Sequence, residues 1–349
     1  MKKKIFLLLI LFTFISLLFF IFHLELKNET VEEVTKYQLS NEAESMIVMD
    51  MRTKRVLNSY QANKKMLPAS ITKILTCITC IEHYDLDHII VVGEEVLKSE
   101  GSSIYLKIGD IITVRDLLYG LMLCSGNDAA IVLAYHYNQN IDDFIYLMNQ
   151  TAKQIGMNDS NFENPSGLNG DTRNITTAYD MALLMSYAMK NETFRKITST
   201  KDYKANLFSN RTMYFHNKHR LLQESEDVIG GKTGYTKEAH RTLVTCFKKD
   251  EFEIVVVTLN CSSDWSFHEK LSQKAFEDYD LKQVISKLDL FFSTLTIGKI
   301  EVQREDLLVP TKNGEKLDVK LLYDDKYVQI MYYEQDNLIA SVLLRRKNE

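Results

Sequence analysis

The run Pro68-Ala69-Ser70-Ile71-Thr72-Lys73 sets a serine three residues ahead of a lysine where a helix should begin. Proline is tolerated in a first turn, and Ile71, Ile74, Leu75 and Ile78 supply the apolar spacing of a buried helix. Positions three apart share a face, so Ser70 and Lys73 are expected to point the same way. The amino end of a helix adds partial positive charge where an alkoxide or oxyanion would form. Ser70 is therefore a candidate nucleophile and Lys73 its candidate base. A Ser-x-x-Lys by itself is common and usually only a solvated helix start, so other parts of the chain must support the pair.

With 349 residues, 45% of them hydrophobic, the chain can bury a substantial core, and its length allows two domains. Only 3 Pro and 13 Gly are present, which excludes a fibrous or disordered class. The formal net charge of −5, with no basic stripe carrying interleaved aromatics, gives no reason to expect nucleic acid as a partner.

The amino end differs in kind. Lys2, Lys3 and Lys4 precede an apolar run over 5–22, close to the length that crosses a bilayer. The run ends in Phe-Phe-Ile-Phe-His without a small-x-small cleavage site, so residues 1–26 are expected to be an uncleaved anchor, with export after signal cleavage as the alternative. The three lysines then stay in the cytoplasm, and the rest lies outside. Polar residues 27–43 read as a stalk.

Of the five cysteines, Cys77 and Cys80 mimic a C-x-x-C but sit within the apolar face of the Ser70 helix, and no second pair at zinc spacing follows. Buried thiols are expected, and no metal.

Residues 44–50 and 55–60 alternate around Arg52-Thr53-Lys54, which predicts a β-hairpin leading into the Ser70 helix. Thr113 with Asp116 three residues on predicts a capped helix start. Helical patterns follow over 128–137, 141–155 and 177–189, strands over 243–248 and 253–260, and a closing helix over 264–287. A single α/β domain whose sheet joins both ends of this stretch explains the order. From about 291 the texture changes to short alternating runs, 298–302, 317–321, 327–333 and 338–344, separated by turn signals such as Asn313-Gly314. These predict a small all-β module over 291–349.

Two further tripeptides bear chemistry. Ser125-Gly126-Asn127 lies between two helices, where a hydroxyl and an amide on a tight turn can face a cleft. Lys232-Thr233-Gly234 precedes the strand at 243; on an edge strand it would offer an ammonium and a hydroxyl to a carboxylate, while Gly234 lets a substrate backbone approach. Singly, one is a turn and the other a strand end. Together and in this order with Ser70-x-x-Lys73, they resemble the signatures of penicillin-binding and β-lactamase-like serine enzymes. The stretches 67–76, 101–117, 118–134, 148–168 (with Asn164-Pro165-Ser166-Gly167-Leu168) and 231–245 are similar to the low-molecular-mass D-alanyl-D-alanine carboxypeptidases.

That resemblance implies a β-lactamase/penicillin-binding-like domain over 44–287, an antiparallel sheet flanked by helices plus a helical subdomain, followed by the small all-β domain. It implies acyl transfer: Ser70 attacks the carbonyl between two D-alanines of a peptidoglycan stem peptide, the terminal D-alanine leaves, and water frees the acyl-enzyme. Lys73 is base when neutral; the N–H groups of Ser70 and Tyr235 form the oxyanion hole; Asn127 binds the substrate amide; Ser125 relays a proton to the leaving amine; and Lys232 and Thr233 hold the terminal carboxylate. β-Lactams are the expected covalent inhibitors, and no cofactor is expected.

The chain departs from the family pattern at Ala239-His240-Arg241, in lacking a histidine over 171–176, and in lacking a C-terminal amphipathic helix. Three alternatives stay open: a β-lactamase, although the loop Glu163-Asn164-Pro165-Ser166-Gly167-Leu168-Asn169 does not fit the Glu-x-x-Leu-Asn of class A enzymes; a peptidoglycan endopeptidase; and a non-catalytic tethered binding module.

Overall fold

Met46, Ile47, Val48 and Met49 are consecutive and all fully buried, so the strand that carries them is covered on both faces. In the computed structural model, which describes residues 42–285, 305–323 and 326–345, this strand is β1 (Ala43–Asp50), paired with β2 (Val56–Tyr60). The tight connection is held by Asp50, whose carboxylate accepts from the Thr53 N–H at 2.7 Å and from its hydroxyl, with Lys54 left-handed at φ 65°.

Then follow α1 (Lys73–His83), the short pair β3 (Ile89–Val91) and β4 (Ile111–Thr113), α2 (Val114–Leu123), α3 (Asn127–His136), α4 (Ile141–Ile155), α5 (Ala178–Ala188) and α6 (Glu192–Ser199). A hairpin of β5 (Asp202–Asn206) and β6 (Thr212–His216), the short α7 (Arg220–Glu224), the meander β7 (Val228–Thr236), β8 (His240–Lys249) and β9 (Phe252–Cys261), and α8 (Asp264–Asp278) complete this part. The predicted cap is present: Thr113 accepts from the Asp116 N–H at 3.0 Å.

The main sheet is antiparallel throughout, in the order β2-β1-β9-β8-β7, so β1 from one end of the sequence pairs with β9 from the other. Ile47, Met49, Val255 and Val257 join the helical core built on α1, α2, α3 and α5. The opposite face lies under α8, whose His268 bonds the side chains of Thr245 and Thr258. β7 is an edge strand, and this puts Lys232-Thr233-Gly234 at the border between sheet and helices.

Two elements differ from the sequence expectation. The first turn at Ser70 is not α-helical: Ala69–Thr72 forms a 3-10 turn and the α-helix starts at Lys73. Ala69 is left-handed at φ 51°, and the Pro68 carbonyl is taken by the Thr242 hydroxyl at 2.8 Å instead of by a helical N–H. The closing helix ends at Asp278, not near Lys287, because Tyr279 turns inward, is buried, and donates its hydroxyl to the Leu57 carbonyl at 3.1 Å.

Strand β10 (Tyr279–Gln283) pairs with β11 (Leu308–Lys312), and β12 (Asp318–Tyr323), β13 (Tyr327–Glu334) and β14 (Asn337–Arg345) make an antiparallel sheet. Val309, Val328, Ile330, Tyr332 and Val342 form a separate small core. The predicted strand over 298–302, the anchor over 1–26 and the stalk up to residue 41 lie outside the described residues. Among the described residues no helix is long and apolar enough to cross a membrane. Cys77 and Cys80 are buried without disulfide partners in α1, and burial pushes both thiols up.

Candidate active site

The left-handed Ala69 turns the chain so that Ser70 is partly exposed while Lys73, one turn on, is fully buried. A non-glycine residue in this conformation costs of order 1–3 kcal/mol and persists only where its surroundings over-determine it. Those surroundings are two close backbone approaches. A side chain at Gly167 would lie 1.8 Å from the Ala69 carbonyl oxygen, and one at Gly234 would lie 3.0 Å from the Ser70 nitrogen. Gly234 therefore serves the protein's own Ser70 turn, a reason that sequence reading did not supply.

The Lys73 Nζ donates to Ser70 Oγ at 2.9 Å, to Asn127 Oδ1 at 2.7 Å and to the Ser166 carbonyl at 2.6 Å. None of the three is charged. Burial, reinforced by the ammonium groups of Lys232 and Lys218, drives the Lys73 pKa well below the ordinary lysine range, against a smaller pull from Asp128. Lys232, also buried, donates to the Thr233 carbonyl at 2.8 Å, and burial with the neighbouring Lys218 lowers it to about 7.

Asn127 opens α3 and is fixed by its N–H to the Ser102 carbonyl at 2.7 Å and by its amide to the Glu100 carbonyl at 2.5 Å. The next residue, Asp128, accepts from the N–H groups of Ile104 and Leu106 and from the Ser103 hydroxyl, which staples the 102–106 loop to the helix start. Ser125 is left-handed at φ 61° and 5% exposed, and its Oγ has no hydrogen-bond partner in the protein. It bonds neither lysine here. Thr233 is half-buried, and the Tyr235 side chain is exposed.

The loop carrying Ser166 was legible only as part of the resemblance, and the role of its carbonyl was not. It is tied to α1 by Thr76 Oγ1 donating to the Pro165 carbonyl at 2.6 Å, and to the 3-10 turn before it by Asn174 donating to Thr72 Oγ1 at 3.1 Å. Asn164 Oδ1 accepts from the Gly167 N–H at 2.7 Å and holds the turn. The polar Asn164-Pro165-Ser166-Gly167 cluster was the available signal.

A partly exposed serine bonded to a desolvated lysine on a rigid turn, with an edge strand alongside, is the equipment of a serine acyl-transfer enzyme of the penicillin-binding fold. Residues 30–263 match the D-alanyl-D-alanine carboxypeptidase family. The chain is 29% identical to the D-alanyl-D-alanine carboxypeptidase DacF of Bacillus subtilis, over 81% of this chain and 76% of that one. It is 32% identical to DacB2 of Mycobacterium tuberculosis, over 62% and 74%. The crystal structure of a D-alanyl-D-alanine carboxypeptidase from Mycobacterium tuberculosis H37Rv superimposes with a TM-score of 0.65 at 29% identity, covering 68% of this chain and 91% of that one. The chain belongs to the D-alanyl-D-alanine carboxypeptidase family, and it is a serine-type hydrolase, as the three motifs implied.

Proposed function

We propose that the chain removes the terminal D-alanine of peptidoglycan stem peptides through an acyl-enzyme on Ser70, and that β-lactams trap it there. The observation that carries this reading is the 2.9 Å contact between Ser70 Oγ and an ammonium that burial has made easy to deprotonate. Neutral Lys73 takes the hydroxyl proton as Ser70 bonds to the scissile carbonyl carbon. The oxyanion sits between the N–H groups of Ser70 and Tyr235, and the proton reaches the departing amine through Ser125, whose unpartnered hydroxyl is free to donate to the leaving nitrogen. Asn127 orients the substrate amide, and Lys232 with Thr233 holds the terminal carboxylate. Water then resolves the ester.

The domain covers 44–287, the all-β module 291–349, and the apolar run 5–22 tethers both to the outer face of the cell membrane. A mature amino terminus near residue 24 would contradict the tether. The chemistry is tested by labelling with fluorescent penicillin. Wild type is expected to give a stable adduct on the peptide containing Ser70, and Ser70→Ala none; an adduct on another serine overturns the assignment.

A further inference from the structure

The turn that carries Ser70 is gripped at both ends by buried side chains that make no hydrogen bond to Ser70 or Lys73. At its start, Thr242 of β8, 1% exposed, donates its hydroxyl to the Pro68 carbonyl at 2.8 Å. At its end, the fully buried Asn174 donates to Thr72 Oγ1 at 3.1 Å, while its amide oxygen accepts from the N–H groups of Glu163 and Asn164 at 2.8 and 3.1 Å. One grip comes from the sheet and the other from the loop whose Ser166 carbonyl holds Lys73.

A glycine makes room for each hydroxyl. A side chain at Gly234 would collide with Thr242 Oγ1, and one at Gly167 would lie 2.8 Å from Thr72 Oγ1. The two glycines that let backbone approach the Ser70 turn thus also let both grips close. What the grips hold is a turn under strain, since Ala69 between them is left-handed at φ 51°. A strained segment relaxes when a restraint is lost, and relaxation here would carry Ser70 Oγ away from its 2.9 Å contact with Lys73.

We infer that Thr242 and Asn174 are positioning residues for Ser70, which keep the nucleophile's turn in its reactive shape from outside the reacting atoms. The inference rests on the acylation of Ser70 proposed above. Stopped-flow acylation of the full chain by penicillin tests it, because the concentration series separates the dissociation constant of the first, noncovalent complex from the acylation rate constant. Thr242→Val removes one grip and Thr72→Val the other, each keeping the side chain's shape. Each is expected to lower the acylation rate constant about ten- to a hundredfold, as a misplacement of up to about 1 Å does, with the dissociation constant unchanged. Thr242→Ser and Thr72→Ser keep the hydroxyl and should retain the wild-type rate. Ala69→Gly should recover most of the loss in Thr242→Val, because glycine takes the left-handed angle without strain and needs no grip. A merely structural role would lower the amount of adduct and leave the rate constant alone. Thr72→Val decides the matter from the other end if Thr242→Val fails to fold. A wild-type rate constant in either valine variant overturns the inference while Ser70 chemistry stands, and so do serine variants as slow as the valine ones. Wild type that takes up no penicillin overturns the Ser70 reading, and this inference with it.

Discussion

Lys73 and Arg55 are both buried cations, 0% and 4% exposed, and they are held in opposite ways. Arg55 lies at the contact between the catalytic part and the small β module, where its guanidinium makes a two-pronged bond to Glu315 and donates to the Pro310 carbonyl, beneath the Tyr279 ring. Burial alone would raise the Glu315 carboxyl, yet Arg55 holds it below its ordinary range. Lys73 receives only neutral oxygens and is driven down. A buried cation with a carboxylate is locked in its charged form and joins structure; one without is ready to give up its proton and does chemistry.

The largest expected effect follows from removing the unpaired charge. Lys73→Met should lower the rate of acylation by penicillin about 10²- to 10⁴-fold, the usual worth of a general base, measured by stopped-flow, while stability at neutral pH holds or rises. The sign comes from proton linkage. Between the lowered folded value and the ordinary 10.5, the unfolded chain binds one more proton at this site, so wild-type stability increases with pH through that window and is lost as pH falls. Lys73→Met should flatten that slope, and a slope unchanged in the variant would mean that Lys73 is not the depressed group.

Next in size is Lys232. Losing one charged partner of a desolvated pair costs about 2–5 kcal/mol, so Lys232→Ala should cut kcat/KM for a free D-Ala-D-Ala terminus by about 30-fold to several thousandfold. Amidating the substrate carboxylate should damage wild type similarly and add little to the variant. Wild type cleaving both substrates equally would favour an endopeptidase. Burial and Lys218 lower Lys232 to about 7, and the proposed carboxylate contact needs an ammonium, so kcat/KM in wild type should fall on the alkaline side of that value; Lys232→Arg should move that limb beyond reach.

The smallest catalytic effect is expected at the locked cation. Arg55→Met should cost about 3 kcal/mol in denaturant unfolding by stranding Glu315, and Arg55→Met with Glu315→Met should recover most of it, with penicillin acylation unchanged per folded molecule. The penalty should already shrink as pH falls toward the ordinary 4.5 of a glutamate, because burial without Arg55 raises the stranded carboxyl above that value and it takes a proton first in the variant. A loss of acylation in the folded variant would mean that the two regions are coupled.

What sequence made legible was what side-chain identity encodes. The Ser70 to Lys73 spacing, the Thr113 cap and the apolar runs of β8 and β9 all depend on side chains. The Ser166 carbonyl at Lys73 is a backbone group and leaves no trace in residue type. Nor do the left-handed angles at Ala69 and Ser125, which tertiary contacts impose on residues with no taste for them. Among the elements not foreseen, β5 alternates through Tyr203 and Ala205 and β6 through Met213 and Phe215, but each strand is only five residues long. The Arg55 to Glu315 pair spans 260 positions, a distance over which no local pattern operates.

The most direct measurement is the titration of Lys73 itself. In the full chain labelled with ¹³C at lysine Cε, the resonance that disappears in Lys73→Met is expected to titrate well below 10.5, with the acid limb of penicillin acylation following the same curve. A Lys73 resonance that stays ammonium up to 10.5 while acylation proceeds at neutral pH would contradict the assignment of Lys73 as the base that activates Ser70.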